Sequence, residues 1–319
     1  MGATSKCSYM CLPGKWWERF FPNCNIAGSF STLDNGLVHN SSVQGQGDHS
    51  LTFSPVALVT GASSGIGQCC ATLLAEKGYR VYGASRRAIA TNGGILPLPM
   101  DVTVDNSVRA ACYTLLEHEG RLDVLINSAG MGVAGALEDT TPDEAREQFE
   151  VNLFGVLRVC RAVLPTMRRQ RSGYIINIGS IGGLIAIPYQ GIYSSSKFAL
   201  EGLTECLRME VKPFGIQVIL VEPGDHQTAF TKNRRVSAGS SENSTYWPAF
   251  TRAVVRMAAD EQTGPSPKGV AQLVYKIIRK QNPRLRYTAG PSVQRAAVWV
   301  KRLGPNALVQ KIVTTYYSL

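Results

Sequence analysis

Apolar and polar positions along the chain fall into two regimes. Residues 1–50 are rich in Gly, Ser, Asn and Gln and hold no sustained period; they read as a flexible extension with one apolar patch, Trp16–Phe21. From Pro55 onward, short apolar runs alternate with stretches of helical period. Val56–Thr60 is a run of the kind buried on both faces of a sheet. Gln68–Lys77 then reads as a helix ended by Gly78, and Arg80–Ala84 and Ile95–Met100 as strands. Val104–Glu119 is the next helix, Leu122–Asn127 a strand, and Asp143–Arg169 one long helical region. Tyr174–Ile178 and Gln217–Val221 are strands on either side of the helix Ile192–Lys212, and Arg286–Thr288 adds a final strand. Strands alternating with helices predict an α/β fold, a doubly wound parallel sheet with helices on both faces. It forms a single domain over residues 54–319, preceded by the extension of residues 1–53. Residues 229–267 break the pattern with Gly, Ser and Pro clusters beside Tyr246, Trp247 and Phe250. Ligands of such sheets lie beyond the carboxyl ends of the strands. Two readings therefore stay open for this segment, a substrate lid or ordinary surface packing.

Composition adds a core and removes several function classes. The chain has 319 residues, 44% apolar and 18% charged, enough for a packed interior and against wholesale disorder. No apolar run is long enough for a membrane-spanning helix. The net charge of +10 is uneven: from Glu261 to Leu319 there are ten Lys and Arg against one acid. There Arg295, Lys301, Arg302 and Lys311 interleave with Val298, Trp299, Val300, Leu303, Leu308, Ile312 and Val313. Such basic C-terminal helices either face anionic lipid, giving peripheral membrane contact, or close the domain with solvated charges, the reading preferred here. Nucleic acid is not an expected partner, because positive charge alone supplies no groove-reading element. Cys69, Cys70, Cys112, Cys160 and Cys206 fall in helical stretches and read as buried free thiols. Cys7, Cys11 and Cys24 lack a fourth ligand nearby, so no metal site is expected. No continuous apolar segment follows the start, and Lys6 stands where a myristoylation motif wants Ser or Thr. A cytoplasmic enzyme with reduced thiols is the expectation, with membrane association as its variant.

Candidate chemistry begins at Thr60-Gly61-Ala62-Ser63-Ser64-Gly65-Ile66-Gly67, between the first strand and the first helix. Glycines there permit a tight turn and close approach of backbone to a pyrophosphate, while the helix N-terminus offers free N–H groups. Dinucleotide sites often place an acid at the end of the second strand to hold the ribose 2′-OH. Here Ser85 stands at that position and Arg86 follows, so no carboxylate repels a 2′-phosphate and a guanidinium fork is at hand. NADP(H) is therefore expected over NAD(H).

Tyr193 and Lys197 are four apart on a helix and share a face. A tyrosine of ordinary pKa near 10 exchanges protons poorly at neutral pH; a neighbouring ammonium favours the phenolate and suits it to general acid/base work. Such pairs also occur by chance, and the accompanying segments decide. These are Asn127-Ser128-Ala129-Gly130, Asn152 within Phe149–Gly155, Ser180 thirteen residues before Tyr193, and Pro223-Gly224 followed by Thr228.

In order and spacing these segments resemble the short-chain dehydrogenase/reductase family over about residues 55–230, and so imply a Rossmann-type sheet. The resemblance implies that Gly61, Ser63, Ser64, Gly65, Ile66 and Gly67 line the pyrophosphate, with Ser85 and Arg86 at the adenosine ribose. By the same resemblance Asp101 and Val102 contact the adenine, and Asn127, Ala129 and Gly130 border the ribose. Pro223, Gly224 and Thr228 flank the nicotinamide. The implied catalytic tetrad is Asn152 holding a water relay, Ser180 bonding the substrate oxygen, Tyr193 moving the proton and Lys197 binding the ribose. Ser128 and Ser195 depart mildly from the family pattern. Gly179–Leu184, Tyr193–Leu203 and Val221–Phe230 are similar to the 17β-hydroxysteroid and retinol dehydrogenase branch. That similarity implies a lipophilic ketone or aldehyde and its alcohol as substrate, with Leu184, Ile185, Ile187, Pro188, Tyr189, Phe230, Tyr246, Trp247 and Phe250 as apolar candidates. It also implies a homodimer or homotetramer formed through the helices of Asp143–Arg169 and Ile192–Lys212. A non-catalytic NADP(H)-binding regulator or scaffold is the alternative, and the complete tetrad weighs against it.

Overall fold

A computed structural model describes residues 54–87 and 93–319. The expected extension, with Trp16–Phe21, Cys7, Cys11 and Cys24, lies outside the described residues. In chain order the elements are β1 (Val56–Thr60), α1 (Gly65–Glu76), β2 (Arg80–Ser85), β3 (Ile95–Pro99), α2 (Asp105–Glu119), β4 (Val124–Asn127), β5 (Val133–Ala134), α3 (Pro142–Phe149), α4 (Gly155–Gln170), β6 (Gly173–Ile178), α5 (Gly191–Val211), β7 (Ile216–Pro223), α6 (Phe230–Asn233), β8 (Arg235–Val236), α7 (Trp247–Thr263), α8 (Lys268–Ile278), β9 (Arg286–Ala289), α9 (Ser292–Leu303) and α10 (Asn306–Tyr316). Seven strands pair in parallel in the order β3-β2-β1-β4-β6-β7-β9. The doubly wound parallel sheet is thus present as expected.

The two-residue period of a strand explains the two cores. Val56 and Leu58 point to one face, where they join Leu115 of α2, Val159 and Met167 of α4 and Leu200 of α5. Ala57 and Val59 point to the other, against Leu74 of α1 and Val274 and Ile277 of α8. A strand covered on both sides has no polar face, which is why β1 reads as an unbroken apolar run.

Three features differ from the sequence expectation. The long helical region Asp143–Arg169 is interrupted: a π-helical turn spans Glu150–Phe154 between α3 and α4. Such single turns recur at functional sites, and this one carries Asn152. Residues 229–267 are more regular than their Gly, Ser and Pro content suggests. They hold α6, the short strand β8 paired with β5, and the 17-residue helix α7, started by Pro248 in its first turn. Phe250, Ala253 and Met257 on α7 are buried. Of the five helical thiols, Cys70, Cys112 and Cys160 are buried, but Cys69 is half-buried and Cys206 exposed. Exposed Phe154, Leu157 and Phe198 lie beside α4 and α5, the helices through which self-association was expected.

Candidate active site

Beyond the carboxyl ends of the strands lies a cleft of about 1330 Å³. Its cofactor end is made by the turn between β1 and α1. Gly61 has φ of +67°, and a Cβ there would approach the Ala129 backbone to 2.8 Å. A Cβ on Gly67 would lie 2.5 Å from the Gly61 carbonyl oxygen, so helix and turn touch only because both residues are glycine. Thr60 Oγ1 accepts from the backbone N–H groups of Ser128 at 3.1 Å and Ala129 at 3.2 Å, fixing the loop after β4 beside the turn. Ser64 makes no side-chain capping bond, which leaves the first N–H groups of α1 open to an anion.

The sequence-predicted residues mostly converge. Gly61, Ser63, Ser64, Gly65, Ile66, Ser85, Arg86, Asp101, Val102, Ala129, Gly130, Pro223, Gly224 and Thr228 all line the cleft, as do Ser180, Tyr193 and Lys197. Arg87 also lines it, and its guanidinium donates to Ser63 Oγ at 3.4 Å. Burial opposes the charge on Asp101, yet the Thr103 backbone and hydroxyl, with Arg86, hold its carboxyl below the usual range.

Gly67, Asn127 and Asn152 do not reach the surface of the cleft. Asn127 is buried and donates to Asn177 Oδ1 at 2.9 Å, and Asn177 in turn donates to Thr204 Oγ1 at 2.9 Å. It ties β4 to β6 and, through Asn177, to α5. Asn152 Oδ1 accepts from Met131 N at 2.9 Å, while its Nδ2 donates to Met131 O and to Ser196 Oγ, both at 3.0 Å. Among the described residues, the hydrogen bonds of its side chain brace the loop after β4 against α5, one residue from Lys197.

At the inner end, Tyr193 and Lys197 project from α5, and Ser180 follows β6. Lys197 Nζ donates to the Ile178 carbonyl at 2.9 Å and lies 5.9 Å from the Tyr193 ring centroid. Burial lowers the Lys197 pKa to about 8, with Glu201 opposing. Burial also pushes the Tyr193 phenol up to about 12, against a lowering hydrogen bond from Ser180. Desolvation thus outweighs the lowering by Ser180 and Arg234, and the phenol is held above its ordinary value, not below it as the Tyr193–Lys197 spacing suggests. Phe230 of α6 packs on Tyr193 with ring centroids 5.5 Å apart.

This geometry matches a known family. The family model described as short chain dehydrogenase matches residues 55–238. The chain belongs to the short-chain dehydrogenase/reductase family. It is 44% identical over 264 residues to a 3-ketodihydrosphingosine reductase of Bacteroides thetaiotaomicron, covering 83% of this chain and 98% of that relative. It is 36% identical over 252 residues to human 17-beta-hydroxysteroid dehydrogenase type 1, covering 73% and 76% of the two. Among solved structures, a short-chain dehydrogenase/reductase from Burkholderia phymatum in complex with NAD superposes with a TM-score of 0.67 at 25% identity, covering 81% of this chain and 95% of that one. The chain is therefore an oxidoreductase of CH–OH groups with a nicotinamide cofactor, and the glycine turn, the open N-terminus of α1 and the arginines beyond β2 fit such a dinucleotide.

The substrate end of this short-chain dehydrogenase/reductase holds residues the sequence reading missed. Met131, Ile181 and Met257 join Ile187 and Phe230 as its apolar wall. Phe250 instead packs under Tyr189 and Trp247, with ring centroids 5.7 and 5.6 Å away. Tyr246 is exposed and donates to Glu138. Asp225, His226, Glu261, Gln294 and Tyr317 bring polar groups to the same end from β7, α7, α9 and the residue after α10. The signal available for Asp225 was an acid directly after Pro223-Gly224. Nothing in a single sequence announces that the C-terminal helices reach the cleft.

Proposed function

We propose that the chain is an NADP(H)-dependent reductase of long-chain lipophilic ketones, with α6 and α7 as the lid over the substrate end. The observation that carries this reading is one cleft joining an anion-binding glycine turn, an arginine-lined ribose end and a buried Tyr193–Ser180 pair walled by apolar side chains. When bound, the dinucleotide supplies or takes up the hydride. Tyr193 gives its phenolic proton to the carbonyl oxygen in reduction and removes it in the reverse direction. Ser180 hydrogen-bonds that oxygen. Lys197, anchored by the Ile178 carbonyl, holds its charge near the phenol and would bind the ribose of the dinucleotide. Asn152 keeps the loop and α5 in register for this chemistry. A long-chain ketone is preferred to a steroid because the reductase named for 3-ketodihydrosphingosine is matched over nearly its whole length and at higher identity. Turnover of long-chain 3-ketones with NADPH, and little with steroid ketones, is the expected outcome of a substrate panel; the reverse order replaces this reading with the steroid one.

Arg86 gives the preference for NADP(H). Arg86→Ala removes a charge-assisted bond to the 2′-phosphate, so KM for NADPH is expected to rise about 10–100-fold while kinetics with NADH barely change. An equal loss with both cofactors assigns Arg86 a structural role instead.

The same reading includes docking on an anionic bilayer. No helix among the described residues is long and apolar enough to cross a membrane. On α9, however, Val293, Trp299, Val300 and Leu303 are exposed beside Arg295 and Arg302, and on α10 Leu308 and Ile312 are exposed beside Lys311. Apolar groups framed by cations, with no acid after Glu261, complement a negatively charged lipid surface. The chain is expected to co-sediment with vesicles containing phosphatidylserine, and Trp299→Ser with Leu303→Ser to release it. Absence from the vesicle pellet at low salt, or equal binding to neutral vesicles, removes this part of the reading.

A further inference from the structure

At the inner end of the active-site cleft stands Asp225, a carboxylate with no ion pair among the described residues. Asp225 follows Pro223-Gly224 at the end of β7 and lines the cleft with Tyr193, Ile181 and Met257. Its Oδ2 accepts from Gln294 Nε2, and its backbone N–H donates to Gln294 Oε1 at 2.9 Å. Oδ1 takes no hydrogen bond among the described residues, and no Lys, Arg or His of those residues forms an ion pair with Asp225. Glu261, the other acid of this end, is different. Arg234 pairs with it, and Thr231 donates to it. His226 offers no charge either. Burial holds its imidazole below the ordinary value, against a contact of its Nδ1 with the Gly224 carbonyl.

We infer that Asp225 is a specificity-determining residue that receives the ammonium of an amine carried next to the carbonyl on which Tyr193 acts. The inference rests on the long-chain ketone reading and narrows it to 2-amino-3-ketones, the chemistry of 3-ketodihydrosphingosine. An isolated carboxylate in a cleft is costly unless a cation meets it, and a substrate ammonium both neutralises it and uses its open oxygen. Desolvation raises the Asp225 pKa to about 6, with Gln294 and the more distant charge of Arg234 lowering it and Glu261 and Asp260 raising it. A bound cation acts in the opposite sense. The position is suited to the task, because Asp225 adjoins Gly224, where the resemblance puts the nicotinamide, and lines the same cleft as Ser180 and Tyr193.

Gln294 also gives Asp225 a structural role as a clamp on α9, and the test separates the two. Three ketones of equal chain length serve as probes: the 2-amino-3-ketone, its N-acetyl derivative and the 3-ketone without the amine. Parent and Asp225→Asn are assayed with NADPH. Asparagine retains a side chain that can exchange hydrogen bonds with Gln294, so the clamp survives while the charge is lost. The parent is expected to favour the amino ketone by about 10-fold or more in kcat/KM. Asp225→Asn is expected to lose about 10–100-fold on the amino ketone, mainly through KM, and no more than about threefold on the two uncharged ketones. Equal losses on all three probes, or no loss on the amino ketone, overturn the inference. A parent that reduces the amine-free ketone without favouring the amine overturns it while leaving the long-chain reading intact. A parent that reduces none of the three overturns both.

Discussion

Tyr193→Phe is expected to lower kcat by about 10²–10⁴-fold while leaving NADPH affinity nearly unchanged. The substitution removes one oxygen. The ring keeps its packing on Phe230, 5.5 Å away between centroids, and α5 keeps its buried seat against the sheet. What is lost is the buried phenolic hydroxyl beside Ser180, the proposed proton donor. Steady-state turnover followed by the absorbance of the reduced nicotinamide, together with fluorescence titration of NADPH, measures both quantities. A variant within about tenfold of the parent places the proton source elsewhere, with Ser180 or a water as the next candidates. A parent that binds NADPH yet turns over no carbonyl favours the regulator or scaffold instead.

The second large effect falls on stability. Arg286 of β9 donates from Nε to Glu201 at 2.8 Å, lies 3.3 Å from Glu222 and also pairs with Glu205. The Glu222 side chain is 0% exposed and that of Glu201 9%. Arg286→Met keeps the bulk and removes the charge, leaving two buried carboxylates without their cation. The expected cost is about 3–5 kcal/mol in urea unfolding. Its pH dependence has a definite sign. Burial raises the Glu201 pKa from 4.5 to about 7. Between those values the fold holds a proton that the unfolded chain lacks, so falling pH through this window stabilises the fold and rising pH takes that gain away. The loss caused by Arg286→Met is therefore expected to be larger at about pH 8 than at about pH 5.5, and Glu201→Gln to recover part of it at the higher value. A variant within about 1 kcal/mol of the parent at both values shows that Arg286 is not what keeps these acids in the core.

The seven-stranded sheet, the glycine turn and the residues around Tyr193 were legible because each leaves a local mark. Val56–Thr60 is apolar on both faces, Gly61 and Gly67 carry contacts no Cβ tolerates, and Tyr193 and Lys197 lie one helical turn apart. The π-helical turn at Asn152 left no such mark, since the residues around it suit an ordinary helix and only their contacts with Met131 and Ser196 select the wider turn. The helix α7 was hidden by the Ser- and Gly-rich loop before it, although Pro248 marks its start. Tyr246, Trp247 and Phe250 stand among the apolar candidates, with lid and surface packing both open, because they are large and apolar. Residue type alone does not tell a cleft wall from the packing beneath it. Asp225, Glu261, Gln294 and Tyr317 meet through the topology of β7, β9 and the last helices, a relation between distant positions that no local pattern encodes.

The sheet order also divides the molecule in time. Leaving the ribosome, the chain can assemble β3-β2-β1-β4-β6-β7 and the glycine turn before β9 and the last two helices have been made. The wall contributed by Gln294 and Tyr317 is added at the end, through contacts of long sequence separation that close slowly. A nascent chain thus carries the glycine turn, Tyr193 and Asp225 before it carries Gln294 and Tyr317, the residues that complete the cleft.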